Sequence, residues 1–506
     1  MKYFFINILL FTGLNITVFS QDRHWVYFNE RDTTDTKIQL SKTTLSQRKE
    51  QGIPLRQYSD FPVSERYIEI LKEKGITIEV KSKWLNAVSV LADSTQIAAI
   101  EALHFVTEVS PVQSIKVFQN NYDKQEFASA LEQINGYALR NSGYDGSEVS
   151  IGIIDGGFLD ANNTDDLSFF FFYDKVKAFR NFTMDLTEAF EGRKNLQDDH
   201  GTKVWKNIGG YDRDNDVVLG LATQSDYYLA KTDRGDMEFR GEEDYWIEAL
   251  EWMDSLGVRI INSSVGYNIG FDNPAENYTP KEIDGKSSVI TLAAQIAAEK
   301  KGMLVVVSAG NEGNEDFKVL SVPADAKDVL SVGSTQKNIW KKMSYSSIGP
   351  ENLGYPKPDM ACFSLSGTSF TAPIITGLAA CIMQAKPSLT NYEIMDIIKK
   401  SCHLYPFPNN YLGYGVPDGT KIISLLKNKS AKVWNSDKIL STEQSVTVST
   451  LSANPIIVYH KKDPYNVVEE TTQNPSDLSV TIKRKDSSIA FTTLYLDGRV
   501  VEIEWK

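Results

Sequence analysis

The chain has 506 residues, of which 42% are hydrophobic and 24% are charged, a globular composition that excludes a disordered or collagen-like protein. Its 53 Lys and Arg residues against 66 Asp and Glu residues give a formal net charge of −13. Because no basic tract is present, binding to nucleic acid through phosphate neutralisation is not expected. Three cysteines cannot build a disulfide framework, and five histidines leave little material for a multi-histidine metal site.

The amino terminus predicts an exported protein. Lys2 is followed by an apolar stretch over 3–19 and then by Ser20 and Gln21, the pattern of a secretory signal peptide over residues 1–20. The alternative is a membrane anchor, which the short length and the polar residues inside the stretch disfavour. No later run reaches the roughly 18 continuous apolar residues of a membrane helix. We therefore expect a mature protein without a membrane span, located outside the cell, in the periplasm or at the cell surface.

The remaining residues fall into three predicted domains. Residues 21–115 alternate short strands with amphipathic helices, a small α+β pattern, and the polar residues of 113–125 suit an exposed linker. Residues 126–428 alternate apolar strands with helices, which indicates a mostly parallel sheet with helices on both faces. Residues 430–506 show strand patterns only, with a hairpin signal at Asp497-Gly498, so we expect a small β-sandwich-like domain.

Four polar residues of the middle domain stand at predicted strand ends or helix starts. Asp155 ends a buried strand, His200 begins a helix just before a glycine, and Asn311 follows another buried strand. Taken singly, these three are better explained as turn, surface or structural residues. Ser369 opens an almost wholly apolar helix, where it either caps the helix or acts as a nucleophile whose N–H points at an oxyanion.

Together, the four segments resemble the subtilisin-like serine peptidases, or subtilases. The family's order of Asp, His, Asn and Ser is kept in the motifs Asp155-Gly156-Gly157, His200-Gly201-Thr202, Ala309-Gly310-Asn311 and Gly367-Thr368-Ser369, the last followed by Pro373. Residues 263–266 resemble the family's substrate-binding strand, and residues 357–359 resemble its approach to the nucleophile. The first domain resembles the family's amino-terminal propeptide, which is a folding aid and an inhibitor.

The resemblance implies a bacterial secreted serine endopeptidase that is made as a proprotein. Ser369 would attack the scissile carbonyl, while His200 would take its proton and return it to the leaving amine. Asp155 would fix the imidazole tautomer and stabilise the imidazolium. Asn311 and the backbone N–H of Ser369 would hold the oxyanion. We also expect the first domain to be removed by self-cleavage in the linker.

The expected substrate is a protein or peptide, and the second expected partner is the chain's own propeptide-like domain. On the resemblance, the substrate would lie extended beside Ser264, Val265 and Gly266, with Ala309 and Gly310 as one wall of the first pocket. Because the last two residues are small, we expect a pocket open to bulky or apolar side chains. The chemistry needs no cofactor. Structural calcium sites are common in the family, but no acidic loop here has convincing ligand spacing, so no metal site is predicted.

Two departures from the family leave a second function open. Lys203 and Trp205 follow His200 where the family usually has smaller residues, and Trp205 either packs against the sheet or crowds the cleft. The segment 360–366 is short, whereas family members generally have a longer hairpin before the nucleophile. The alternative to an active enzyme is therefore a catalytically impaired binding or scaffold protein with a subtilase fold.

Overall fold

The computed structural model describes residues 22–111, apart from 32, 34–37 and 39, together with residues 124–183, 188–235, 239–428 and 430–506. The predicted signal peptide and most of the predicted linker therefore lie outside the described residues. The described helices and strands form three groups along the chain, which are an amino-terminal, a central and a carboxyl-terminal group.

The amino-terminal group is an α+β unit. Its strands are β1 (Asp22–Phe28), β2 (Thr77–Ser82), β3 (Ala87–Ala92) and β4 (Val106–Pro111), and its helices are α1 (Lys42–Glu50), α2 (Glu65–Glu73) and α3 (Ser94–Glu101). The strands pair antiparallel in the order β2-β3-β1-β4. The apolar stripe of α2 places Ile68 and Leu71 against Val88 and Val90 of β3, so this unit has a hydrophobic core of its own.

The central group is built on a parallel sheet of seven strands. They are β5 (Ser150–Asp155), β6 (Val176–Asn181), β9 (Asp226–Lys231), β10 (Ile260–Ser263), β11 (Leu304–Ser308), β12 (Leu330–Thr335) and β13 (Met360–Phe363). Their order across the sheet is β13-β12-β11-β10-β5-β9-β6, and every neighbouring pair is parallel. A short hairpin of β7 (Tyr211–Asp212) and β8 (Val217–Val218) stands apart from it.

Helices cover both faces of this sheet. They are α4 (Lys124–Gln133), α5 (Tyr137–Asn141), α6 (Ser168–Phe172), α7 (His200–Gly209), α8 (Gly241–Leu256), α9 (Val289–Lys301), α10 (Ala372–Ala385), α11 (Asn391–Ser401) and α12 (Gly419–Lys427). Along β11, Leu304 and Val306 face the cluster that contains α7 and α10, whereas Val305 and Val307 face the one that contains α8 and α9. The continuous apolar run of β11 is thus explained by burial on both sides.

One helical stretch among the described residues, Thr368–Ala385, is long and apolar enough to cross a membrane, and 89% of it is buried inside the protein. It contains α10, which crosses the centre of the sheet and packs against α7. Burial in the protein core accounts for its apolar composition.

The carboxyl-terminal group contains strands only. They are β14 (Asn435–Ser441), β15 (Ser445–Ser449), β16 (Ile456–Lys461), β17 (Val467–Gln473), β18 (Ser479–Lys483), β19 (Phe491–Leu496) and β20 (Arg499–Trp505). Five of them form a sheet in the order β14-β20-β19-β16-β17, and β15 pairs with β18. Val448 and Ile482 of that pair share a core with Val458 and Ile503 of the larger sheet. The fold class predicted from the sequence, a helix-covered mostly parallel sheet between an α+β unit and an all-β unit, is confirmed.

Candidate active site

A carboxylate and an imidazole meet at the carboxyl edge of the sheet. Asp155 is the last residue of β5 and is fully buried. Its Oδ1 lies 2.6 Å from Nδ1 of His200, the first residue of α7, and accepts from the backbone N–H of Gly156 at 2.8 Å. This approach requires glycine at position 201, because a Cβ there would lie 2.9 Å from the Cβ of Asp155. Since a carboxylate only accepts, Nδ1 carries the proton and Nε2 is left basic.

Opposing effects set the pKa of His200. Burial disfavours the imidazolium and by itself lowers the pKa, but the facing carboxylate of Asp155 more than offsets this and leaves the pKa raised above 6.5. Lys203 lowers the pKa and Asp199 raises it, to smaller extents. Because Lys203 Nζ lies 3.0 Å from Asp199 Oδ2, their charges largely pair with each other.

Trp205 lies in the protein core. Its side chain is fully buried and stacks on Phe170, with ring centroids 5.2 Å apart, and it also packs against Tyr227 at 5.1 Å. Of the two positions that the sequence left open, the structure therefore shows the one against the sheet, and the tryptophan does not crowd the cleft.

Ser369 lies in the single turn Thr368–Phe370 that precedes α10 and is 8% exposed. Its hydroxyl donates to the carbonyl of Ser264 at 3.1 Å, and its own carbonyl accepts from the Ser264 hydroxyl at 2.9 Å. The ring of His200 packs 5.6 Å from that of Phe370, and the turn packs against α7. The structure thus brings Asp155 into contact with His200 and places Ser369 beside them, with its hydroxyl bonded to Ser264.

Asn311 follows β11 and faces the same turn. Its Oδ1 accepts from the backbone N–H of Thr368 at 2.9 Å and from the Thr368 hydroxyl at 3.1 Å. Because the oxygen is engaged in this way, the side-chain nitrogen is the group that can donate into the cleft. Asn311 and Ser369 line one small cavity.

That cavity has a volume of about 30 Å³ and a polar lining. Its lining residues are Ser264, Val265, Gly266, Asn268, Ser308, Gly310, Asn311, Glu312, Ser321 and Ser369. Asn268 donates to the Ser321 hydroxyl at 2.8 Å across it, and burial raises the pKa of the Glu312 carboxyl at its wall. This cavity gives no support to the expectation of a pocket open to bulky apolar side chains, which stays a prediction. Ala309, which was expected in the wall, is buried in the core behind it.

A second buried carboxyl near Asp155 was missed by the sequence analysis. Asp233 lies two residues beyond β9, and it accepts from the hydroxyls of Thr232 at 2.7 Å and Tyr267 at 3.2 Å. Burial raises its pKa to about 6, and the charge of Asp155 adds to the shift. The only available signal was its place after a predicted buried strand at the edge where Asp155 also ends.

Two further features lie outside this constellation. A larger cavity of about 590 Å³ lies between residues 338–340 and the carboxyl-terminal sheet, and Ser369 is not part of its lining. Within the part of the chain that the structure describes, no group of three or more His, Cys, Asp or Glu side chains is arranged to hold a metal ion.

Comparison with known proteins identifies the family. Residues 146–415 match the Subtilase family, and residues 23–128 match the peptidase S8 propeptide domain of Bacteroidota. The chain belongs to the subtilase family. It is 24% identical over 362 residues to subtilisin NAT of Bacillus subtilis subsp. natto and to subtilisin E of Bacillus subtilis (strain 168), covering 69% of this chain and 83% of each relative.

The fold agrees with this assignment. The epidermin leader peptide processing serine protease of Staphylococcus aureus superposes with a TM-score of 0.54 at 16% identity, over 82% of this chain and 99% of that structure. The protein is thus a subtilisin-like serine endopeptidase with an amino-terminal propeptide domain. The predicted family and enzyme class are confirmed, and the comparisons support the enzyme over the scaffold protein.

Proposed function

We propose that this subtilase is secreted and hydrolyses peptide bonds through a covalent acyl-enzyme on Ser369, with His200 as the base and Asp155 as its partner. The observation that carries the proposal is the 2.6 Å contact between Asp155 and His200, at the sheet edge where the turn containing Ser369 packs against α7. Each side chain stands at the end of a regular element, so its backbone is fixed by the sheet or by a helix.

The proposed reaction begins when the Ser369 hydroxyl turns from the Ser264 carbonyl to Nε2 of His200. The serine oxygen attacks the scissile carbonyl, and the imidazole takes its proton and then gives it to the leaving amine. Water releases the acyl group by the same steps in reverse order. Asp155 stabilises the imidazolium at each stage, as the raised pKa of His200 indicates.

Two donors hold the oxyanion in this proposal, the side-chain amide of Asn311 and the backbone N–H of Ser369. The hydrogen bonds from Thr368 to Asn311 Oδ1 orient the amide, so its nitrogen is directed before substrate arrives. Loss of one such donor typically lowers the rate ~10²–10³-fold. Substitution of Asn311 therefore affects the chemical step more than substrate binding.

The proposed substrate is a protein or peptide whose backbone lies extended beside Ser264, Val265 and Gly266. The cavity of about 30 Å³ beside Ser369 favours a small or polar side chain before the scissile bond. All the proposed steps use side-chain and backbone groups of the chain. We therefore propose that no cofactor is required, and full activity in the presence of a chelator would support this.

Export through residues 1–20 and removal of the first domain in the linker complete the proposal. The match to a propeptide domain supports synthesis as a proprotein. A mature amino terminus that is the same in wild type and in Ser369→Ala would count against self-cleavage.

The decisive experiment uses the processed enzyme and Ser369→Ala, with Ser142→Ala as the matched control. Ser142 caps the end of α5, and its hydroxyl donates to the carbonyl of Ala138 at 2.9 Å. Wild type and the control should hydrolyse casein and react with a fluorophosphonate. Ser369→Ala should lose the labelling and about 10⁶-fold in kcat. A processed wild type that neither hydrolyses casein nor reacts with the probe would refute the proposal.

A further inference from the structure

A distant carboxylate holds the short loop that precedes the nucleophile. Glu126 lies in the first turn of α4 and is 5% exposed. Its Oε1 accepts from the Ser364 hydroxyl at 2.5 Å and from the backbone N–H groups of Leu365 at 2.6 Å and Ser366 at 3.2 Å. Its Oε2 accepts from the Ser366 hydroxyl at 2.8 Å. One side chain therefore binds all three residues between β13 and Gly367.

Two aromatic residues support the same loop. The Tyr345 hydroxyl donates to the Ser364 carbonyl at 2.7 Å and accepts from the backbone N–H of Gly367 at 3.2 Å. Phe127, next to the carboxylate, packs against Phe370, with ring centroids 6.4 Å apart. The start of α4 thus contacts the chain on both sides of Ser369.

The loop also has one bond of its own, from the backbone N–H of Ser366 to the Ser364 hydroxyl at 3.0 Å. Residues 364–366 connect the buried end of β13 to a glycine with φ of 128°, so the loop turns sharply before the nucleophile. A longer hairpin could support such a turn with its own backbone hydrogen bonds, but this segment is too short to form one. A carboxylate accepts through both oxygens and has no donor of its own, so it suits a loop that presents four donors.

We propose that Glu126 is a positioning residue of the peptidase, which fixes residues 364–366 and through them the location of Ser369 relative to His200. This inference rests on the proposed role of Ser369. Without the carboxylate, two backbone N–H groups and two hydroxyls of the loop lose their shared acceptor. The turn that carries Ser369 then samples positions outside attacking distance, and a misplacement of about 1 Å lowers the rate by up to ~10²-fold.

The same contacts constrain where the propeptide domain can be separated. Glu126 directly follows the predicted linker over 113–125, and the propeptide family match runs past it to residue 128. If Glu126 holds the nucleophile loop, the cut must fall on its amino-terminal side, so that the start of α4 stays in the mature enzyme. The intact mass of the mature chain should therefore correspond to an amino terminus at or before residue 126.

The test compares Glu126→Ala with Glu132→Ala, which removes a carboxylate from the same helix. Glu132 is 60% exposed and pairs with Lys337 at 3.4 Å, away from the loop. The readouts are the rate of fluorophosphonate labelling, and kcat and KM on a short peptide amide. Glu126→Ala should lower the labelling rate and kcat about 10–100-fold with little change in KM. Glu132→Ala should match wild type.

Two gentler variants keep the test decisive if Glu126→Ala does not fold. Glu126→Gln retains the Oε1 acceptor and should recover most of the activity. Ser366→Ala removes the hydroxyl that donates to Glu126 Oε2 and should show a smaller loss in kcat than Glu126→Ala. If Glu126→Ala and Ser366→Ala label as fast as Glu132→Ala, the inference is wrong, and it is equally wrong if the mature chain begins after Glu126. If wild type itself does not label, the proposed function fails before the variants are compared.

Discussion

The peptidase unit contacts its two neighbours in different ways. Towards the amino-terminal unit, several ionised side chains are shielded from water within the contact, beside apolar side chains such as Trp25 and Trp84. Towards the carboxyl-terminal unit, apolar and aromatic side chains occupy most of the centre. The buried Lys461, paired with Glu502, also reaches the carbonyl of Pro408 there, and a further ion pair lies at the rim. Charged groups can be hydrated again when a contact opens, whereas a large apolar surface cannot be exposed without cost. The first contact therefore contains more buried charge that regains water on opening, and the second depends more on its apolar centre.

The amino-terminal contact contains a buried network of four charges. Arg48 of α1 lies 2.6 Å from Asp60 and 3.3 Å from Asp254 of α8, and Lys301 of α9 lies 2.7 Å from Asp60. None of these side chains is more than 4% exposed. Trp84 adds apolar area against the same two helices. Because each of these charges has lost its water, burying it is favourable only while its oppositely charged partners are present.

The carboxyl-terminal contact is centred on Tyr459 and Val500. Both side chains are buried against Leu404 of the peptidase unit. The pair of Lys341 and Glu470 spans the same junction at 3.0 Å, with the lysine side chain 35% exposed. Such a pair is partly screened by water, so most of the stability of the contact comes from the apolar centre.

The largest expected effect is that of Arg48→Ala, which leaves Asp60 and Asp254 buried with one cation fewer. We expect the opening free energy of α1 to fall by about 3–5 kcal/mol. Native-state hydrogen exchange in the Ser369→Ala background measures it without self-cleavage. Lys81→Ala is the control, because its pair with Glu65 on the same unit is exposed, and about 1 kcal/mol or less is expected. Equal losses in the two variants would show that the central charges do not hold the contact.

A smaller effect is expected from Asp244→Asn, and it depends on pH. Burial against the amino-terminal unit raises the pKa of Asp244 from 3.8 to about 6, although Arg23 opposes the shift. Because the docked carboxyl binds its proton more tightly than an exposed one, docking weakens as the pH rises from 3.8 to about 6 and is constant above. Asp60 acts in the opposite direction. Burial raises its pKa, but Arg48 and Lys301 together outweigh burial and lower the pKa to about 2, so the contribution of Asp60 is lost only below pH 3.8.

Hydrogen exchange of β1 at pH 4.5 and pH 7 measures this dependence. In the Ser369→Ala background, the opening free energy should be higher at pH 4.5, and Asp244→Asn should reduce the difference. Glu251 and Asp254, whose pKa values burial also raises, should preserve part of it. If the difference in opening free energy between pH 4.5 and pH 7 is unchanged in Asp244→Asn, Asp244 does not cause the pH dependence.

The smallest effect is expected at the rim of the contact between the peptidase unit and the carboxyl-terminal unit. Lys341→Ala should change the opening free energy of β17 by about 0–1 kcal/mol. Val500→Ala, which removes two buried methyl groups from the centre, should cost about 2 kcal/mol in the same measurement. If Lys341→Ala lowers the opening free energy of β17 more than Val500→Ala does, charges stabilise both contacts and the two contacts do not differ in this respect.

Local chemistry made several elements predictable. Gly257 and Gly302 end α8 and α9 with φ of 85° and 69°, the left-handed conformation that makes glycine a recognisable signal for the end of a helix. The Asp497-Gly498 pair joins β19 to β20 as expected. In contrast, the sequence pattern does not reveal β14 and β17. Their residues are mostly polar, and Ser441 alone among them is buried, so the sequence gives no alternating pattern. Pairing with neighbouring strands places them in the sheet.

At the site, the motifs located Asp155, His200, Asn311 and Ser369 because each needs a particular backbone conformation that short sequence patterns specify. The polar floor of the cavity was not predictable in this way. Asn268 and Ser321 meet there from segments 53 residues apart. The size of the pocket therefore depended on side chains that no motif includes.

By itself, the sequence determined the family, the order of the domains and the residues proposed for catalysis, since these follow from local conformation and hydrophobic pattern. Only the tertiary structure decided which way Trp205 faces, how large the cavity is and that Glu126 binds a loop 238 residues away. The physical reason is that burial and hydrogen-bond partners are set by long-range packing. The two contacts of the peptidase unit differ for the same reason, because Arg48 and Asp254 become partners only when separate elements meet.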